Sequence, residues 1–314
     1  MHILIADKVS KSVISGLEKL GAKITLNPEL SADDLPKAIG DAQVLIVRST
    51  KVTADTISAG KELKLIIRAG AGVNTIDVAK AKEKGVFVSN CPGTNSVAVA
   101  ELAMGLLIAC DRQIANANSD LRGGKWRKGT YQKARGLKGR TLGIVGFGHI
   151  GQCLAQRAKA FEMNLIAFDP YFNEAKAKEL GVTRVDSLEQ IFADSDAVSL
   201  HLAFTPQTKH LVNMALLAKM KNGAILINAS RGEIIETSAL KQAIKEKGLR
   251  VGLDVYENEP ADAEAVFVDT ELATLITGTP HIGASTDQAS DAVGEVALQI
   301  VQAYKETGKP IFTV

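Results

Sequence analysis

The sequence predicts an α/β protein with two parallel β-sheets, each covered by helices on both faces. Three observations carry that expectation. Short, continuous apolar runs alternate with amphipathic segments over most of the chain. The alternation is interrupted near Asn90-Cys91-Pro92-Gly93 and starts afresh at Thr141. A glycine-rich turn, Gly146-Phe147-Gly148-His149-Ile150-Gly151, follows the first strand of the second series directly. Strands without polar alternation are buried on both faces, which requires helices above and below a parallel sheet.

In the first series Ile3-Leu4-Ile5 is followed by a helix near 9–20 and the strand Lys23-Ile24-Thr25-Leu26. A helix near 31–39, Val44-Leu45-Ile46-Val47 and a helix near 53–60 come next, then Leu65-Ile66-Ile67, a helix near 76–84 and Val86-Phe87-Val88. Gly21 and Gly85 lie between helix and strand, where a left-handed cap is needed. Asn90-Cys91-Pro92-Gly93 reads as a hinge. One long apolar helix is expected over 97–121, then strands near 141–145, 164–168, 197–200, 224–228, 249–253 and 273–276, and a last helix near 285–306.

With 314 residues, 46% hydrophobic and 23% charged, the chain has enough apolar material for two domain cores and the balance of a soluble protein. Lys plus Arg number 37 against 35 Asp plus Glu, so no overall field favours a nucleic-acid or membrane partner. Any anionic ligand has to be held by local groups. Cys91, Cys110 and Cys153 match no metal-ligand spacing and read as small buried hydrophobes in a reducing compartment. No metal site is expected. The N-terminus lacks the pattern of a signal peptide and no run is long enough for a membrane span, so a cytoplasmic protein is expected.

The glycine turn carries the first chemistry. With a strand before it and a helix after it, Gly146 allows the tight turn, Gly148 lets a pyrophosphate approach the backbone, and Gly151 lets helix pack on strand. The helix N-terminus, at His149 and Ile150, offers free N–H groups and a partial positive charge. The next strand ends in Asp169, placed to accept from ribose hydroxyls, and no Arg or Lys follows before Lys176. A 2′-phosphate would meet that carboxylate uncompensated. NAD is therefore the expected cofactor.

Together with this loop, three further segments resemble the D-isomer-specific 2-hydroxyacid dehydrogenases: Ile227-Asn228-Ala229-Ser230-Arg231-Gly232, Gly252-Leu253-Asp254-Val255-Tyr256-Glu257-Asn258-Glu259-Pro260, and Thr279-Pro280-His281-Ile282-Gly283. The resemblance covers essentially the whole chain. It implies two Rossmann-like domains with the active site in the cleft between them: a discontinuous substrate-binding domain of residues 1–95 and 285–314, and an NAD-binding domain of residues 96–284.

The same resemblance makes Arg231, Glu259 and His281 the catalytic set, and elementary chemistry agrees with the choice. An alcohol proton must be taken or given during hydride transfer, and imidazole titrates in the useful range. Glu259 is expected to fix the His281 tautomer and favour the imidazolium, while the Arg231 guanidinium grips a carboxylate. Singly, each residue has a plainer role open to it: a capping arginine, a loop acid, a turn histidine. Cofactor contacts are expected from Gly146, Gly148, His149, Ile150, Gly151, Asp169, His201, Leu202, Ala229, Ser230, Arg231, Asp254, His281, Gly283 and Ala284. Asp254 resembles the carboxylate that holds the nicotinamide amide. His2 and His210 read as structural or exposed.

On the substrate side, Arg48, Ser49, Lys51, Arg68, Ala69, Gly70, Ala71 and Gly72 are the candidates. The small residues from Ala69 to Gly72 match a family segment whose amides meet the substrate carboxylate. Arg48, Lys51 and Arg68 offer a phosphate site, or are ordinary surface charges. With Gly124-Lys125-Trp126 they most resemble the family branch that acts on a phosphorylated three-carbon acid. The end at Val314 leads one to expect no C-terminal regulatory domain of the long forms. Members acting on hydroxypyruvate, glyoxylate or D-lactate are the alternative, and an NADH-binding transcriptional corepressor on the same fold is an alternative of another class. The apolar 97–121 segment and the family precedent point to a homodimer.

Overall fold

Strands β1 (His2–Ile5), β2 (Lys23–Leu26), β3 (Val44–Val47), β4 (Leu65–Arg68) and β5 (Phe87–Asn90) form one sheet, parallel throughout, in the order β2-β1-β3-β4-β5. The computed structural model describes residues 1–260 and 264–314. The helices between these strands are α1 (Lys11–Lys19), α2 (Leu35–Ala38), α3 (Ala54–Ala59) and α4 (Val78–Glu83). Successive strand residues face opposite sides. Thus Ile3 and Ile5 join Val13 and Leu17 of α1, while Leu4 between them joins Leu35 and Ile57 on the other face. Gly21 and Gly85 take positive φ, 75° and 67°, as helix ends here require.

The second unit opens with α5 (Ser96–Arg112), α6 (Ile114–Arg122) and the short α7 (Lys128–Tyr131). A second parallel sheet then alternates with helices: β6 (Thr141–Val145), α8 (His149–Ala160), β7 (Asn164–Phe168), α9 (Glu174–Leu180), β8 (Val182–Arg184), α10 (Leu188–Asp194) and β9 (Ala197–Leu200). It continues through α11 (Met214–Lys219), β10 (Ile225–Asn228), α12 (Thr237–Lys247), β11 (Arg250–Leu253), α13 (Thr270–Leu275) and β12 (Thr277–Gly278). The spatial order is β12-β11-β10-β9-β6-β7-β8. The last helix, α14 (Asp287–Thr307), returns to the first sheet, where Ala297, Ile300 and Val301 share a core with Ile3 and Val13. By contacts the chain divides into residues 1–95 with 284–314, and residues 96–283.

Both sheets reverse direction of growth, the first between β1 and β3 and the second between β6 and β9. Ligands of open α/β sheets bind beyond the carboxyl ends of strands at such a reversal. Counted from β6, the second order is that of dinucleotide-binding sheets with one strand added.

Three elements differ from the sequence reading. The long helix breaks at Gln113, which takes φ 53°. Arg250 captures the Asp111 carbonyl at 2.8 Å and Arg140 its carboxylate at 2.9 Å, so tertiary partners end the helix without glycine or proline. The strand expected near 273–276 is instead α13, capped by Asp269, whose carboxylate accepts from the Leu272 amide at 3.1 Å. Such a short apolar run does not distinguish strand from helix, and the cap decides. The three-residue edge strand β8 gave no apolar run to detect. Cys153 is half-buried, not buried like Cys91 and Cys110.

Candidate functional site

The glycine turn lies at the reversal of the second sheet, between the ends of β6 and β9. A Cβ at Gly146, where φ is 94°, would overlap the His201 carbonyl at the end of β9, and one at Gly151 would overlap the Gly146 carbonyl. A Cβ at Gly148 would meet nothing. Two glycines are therefore fixed by protein packing, and the middle one leaves backbone open beside the start of α8. The Asp169 carboxylate accepts from the Phe147 amide of that turn and from the Tyr171 amide, both at 2.7 Å. Its position is set from two sides while it stays partly exposed. This arrangement fits a dinucleotide: amides and a helix N-terminus for the pyrophosphate, a pinned carboxylate for the ribose.

His201 sits behind the turn. Its Nε2 pairs with Ser199 Oγ at 2.9 Å, and burial pushes its imidazole down to about 4, so the ring is neutral at physiological pH. Leu202 packs beside Gly146, and His149 is exposed at the first position of α8, followed by half-buried Ile150.

The second group gathers at the ends of β10 and β11 and in the loop after β12. Asn228 is fully buried, and its Oδ1 accepts from the Ser230 amide and hydroxyl at 3.0 and 2.7 Å while its Nδ2 donates to the Arg231 carbonyl at 2.9 Å. That closes the Ala229–Arg231 turn and leaves Arg231 half-buried, its Nη1 donating to the Ser230 carbonyl at 2.6 Å. Gly232 then runs so close to β11's outgoing chain that a Cβ would overlap the Tyr256 carbonyl.

Asp254, 1% exposed, ties down the segment that carries His281. Its Oδ1 accepts from Thr279 Oγ1 at 2.6 Å and from the Ile282 amide at 2.8 Å; Oδ2 accepts from the Gly283 amide at 2.8 Å. The His281 amide donates to the Asp254 carbonyl at 2.8 Å, and His281 itself is held at φ 52°, a conformation unusual for a non-glycine residue. Among the described residues Oδ2 accepts from no second donor. Sequence reasoning assigned Asp254 only to the cofactor; its larger share of bonds goes to orienting the histidine loop.

His281 Nδ1 pairs with Glu259 Oε2 at 2.7 Å, and Glu259 Oε1 accepts from the Tyr256 amide at 2.9 Å. The bond to Glu259 raises the His281 imidazole above its ordinary value, against the opposing effect of burial. Burial alone would raise the Glu259 carboxyl, but the bonds from His281 and Tyr256 and the nearby charge of Arg231 bring it below the carboxylate range. Both shifts favour the imidazolium–carboxylate form of the pair, and among the described residues His281 Nε2 carries no hydrogen bond. Among the described residues no group of His, Cys, Asp and Glu is arranged to hold a metal ion, and no helix is long and apolar enough to cross a membrane.

In the first unit, Arg48 and Lys51 follow β3 and make no ion pair among the described residues. One acid reaches the backbone of this segment. Asp7, at the end of β1, accepts with a single oxygen from the amides of Arg48, Ser49 and Thr50 at 2.6, 3.2 and 3.2 Å. The strand-end amides that an anion would use are therefore taken by a residue distant in sequence, because β1 and β3 are neighbours. The Arg68 guanidinium occupies the space that a Cβ at Gly70 would fill. The amides of Ala69 and Gly70 donate to Val47 and Arg68 carbonyls at 2.7 and 2.8 Å, leaving those of Ala71 and Gly72 as the free donors of that segment among the described residues.

Residues 104–283 match the family model of the D-isomer specific 2-hydroxyacid dehydrogenase, NAD binding domain. The chain is 46% identical over 305 residues to a hydroxypyruvate reductase of Thermotoga maritima, covering 93% of this chain and 96% of that protein. It is 41% identical over 306 residues to a D-3-phosphoglycerate dehydrogenase of Methanocaldococcus jannaschii, covering 96% of this chain but 57% of that longer protein. A crystal structure of NAD+-bound 3-phosphoglycerate dehydrogenase from Entamoeba histolytica superposes with a TM-score of 0.83 at 29% identity, over 100% of this chain and 98% of that one. The chain belongs to the D-isomer specific 2-hydroxyacid dehydrogenase family, and its second unit is that family's NAD-binding domain.

Proposed function

We propose that the protein is an NAD-dependent dehydrogenase of D-2-hydroxy acids, and that its substrate is D-3-phosphoglycerate, oxidised to 3-phosphohydroxypyruvate at the entry to serine synthesis. The observation that carries the enzymatic reading is the His281–Glu259 pair at 2.7 Å with the Arg231 charge beside it. NAD, when bound, supplies the hydride acceptor. His281 Nε2 takes the hydroxyl proton in oxidation and returns it in reduction; Glu259 stabilises the charged ring at Nδ1. Arg231 holds the substrate carboxylate and polarises the carbonyl oxygen.

The phosphate end is assigned to the Arg48, Lys51 and Arg68 side chains, on the supporting ground of the phosphoglycerate dehydrogenase relatives. Reduction of unphosphorylated hydroxypyruvate is the second reading. It is favoured by Asp7, whose carboxylate fills the amide site beside Arg48, and by the reductase of T. maritima that matches along nearly its whole length. Turnover with NADH of phosphohydroxypyruvate against hydroxypyruvate, glyoxylate and pyruvate separates the two. We further propose a cytoplasmic homodimer formed through α6, which leaves Ile114 and Leu121 exposed.

A further inference from the structure

The segment Tyr256–Pro260 sends alternate carboxylates to two histidines. Glu259 goes to His281, as described. Glu257, two residues earlier, accepts from His210 Nε2 at 2.6 Å, and its second oxygen accepts from the Thr237 amide at 3.2 Å. Thr237 opens α12, immediately after the loop that carries Arg231. His210 is fastened to that same loop from the other side: its amide donates to the Glu233 carbonyl at 2.9 Å, and it holds φ 50°. A half-exposed pair of this kind adds little to stability, so a leftward-twisted histidine devoted to it has to be explained by position.

Three segments meet at the Glu257 carboxylate: the loop of His210, the Arg231–Thr237 loop, and the segment whose Tyr256 amide anchors Glu259. Gly232 presses the second against the third, backbone to backbone. Contact alone fixes how far apart these loops lie, not how they slide past each other. The directional bonds at Glu257 supply that restraint. We propose that Glu257 and His210 are positioning residues that hold Arg231 in register with the Glu259–His281 pair. The assignment rests on the functional reading above, since it gives those three residues their task.

The test uses the full chain and the variants Glu257→Ala, His210→Ala, their double and Glu257→Gln. The expected result is that either alanine lowers kcat/KM for keto-acid reduction roughly 10- to 100-fold. The melting temperature and NADH affinity stay near wild type. The double variant is no worse than either single one, as for a pair acting as a unit. Glu257→Gln, which keeps an acceptor for the Thr237 amide, recovers much of the loss. The decisive readout needs no turnover: the His281 imidazole, followed by NMR, titrates at higher pH in Glu257→Ala, because the Arg231 charge that opposes its protonation is no longer held beside it. An unchanged His281 titration, or additive losses in the double variant, overturns the assignment. A wild type inactive on every keto acid tested overturns the functional reading instead, while the NMR titration still judges the positioning.

Discussion

Glu259 Oε2 and His281 Nδ1 lie 2.7 Å apart, and the bond raises the imidazole while the carboxyl falls below its usual range. The working direction of each half-reaction follows. Reduction of a keto acid needs the protonated ring, and its raised value extends that activity to higher pH. Oxidation needs the neutral ring and sets in only as pH rises through the same value. Glu259→Gln removes the charge that favours the imidazolium, so both the fall of reduction and the rise of oxidation move to lower pH. The loss in kcat/KM should be about 10²-fold. Paired pH–rate profiles check this; curves that superpose on wild type exclude Glu259 as the partner.

Cofactor choice rests on Asp169, whose carboxylate is pinned by the Phe147 and Tyr171 amides at 2.7 Å. Because it cannot swing away, a 2′-phosphate meets it at close range, and the next basic residue in the chain is Lys176. NADH should be preferred over NADPH at least tenfold in kcat/KM, about 1.4 kcal/mol. Asp169→Ala should narrow the gap. Equal efficiency of the wild type with both cofactors would sink the assignment.

The parallel sheets and the glycine turn were legible because they depend on local order: apolar runs of strand length, and a strand leading directly into Gly146-Phe147-Gly148-His149-Ile150-Gly151. Arg231, Glu259 and His281 were named by the resemblance of their segments to a known family, since local order alone leaves each of them a plainer role. What could not be read depended on partners distant in sequence. Gln113 breaks a helix because Arg140 and Arg250 capture Asp111. Asp7 faces Arg48 because β1 and β3 are adjacent, across 41 residues of chain. Glu257 meets His210 across 47 residues. Hydrogen bonds of this kind leave no periodicity behind.

Helix α5 leaves less apolar surface for assembly than its composition suggests. Ala100, Ala103, Leu106 and Leu107 of α5 are buried in the second unit's own core, which accounts for that helix without a partner. Exposed apolar residues remain on α6 and just after it, with Ile114 at 49%, Leu121 at 56% and Trp126 at 81%. A homodimer through this region should sediment at twice the chain mass at micromolar concentration, and Leu121→Lys should shift it toward monomer. A wild type that sediments only as a single chain refutes the dimer.

Substrate choice turns on the end of the acid away from its carboxylate. On the proposed reading, the phosphate of a phosphorylated three-carbon acid meets the side chains of Arg48, Lys51 and Arg68. Since Asp7 already occupies the amides of Arg48, Ser49 and Thr50, the phosphate has to be held by side chains alone and against a neighbouring carboxylate. Charge-assisted contacts are worth about 1.5–3 kcal/mol each, so one or two can still yield a hundredfold preference for phosphohydroxypyruvate over hydroxypyruvate, about 2.7 kcal/mol. Arg48→Ala should erase most of that preference and leave hydroxypyruvate reduction nearly unchanged. Asp7→Asn should act oppositely, because it removes the opposing charge yet keeps an oxygen for the three amides; phosphohydroxypyruvate should gain and hydroxypyruvate should not. If the wild type prefers hydroxypyruvate and neither substitution alters the ratio, the basic cluster is a solvated surface and the second reading stands.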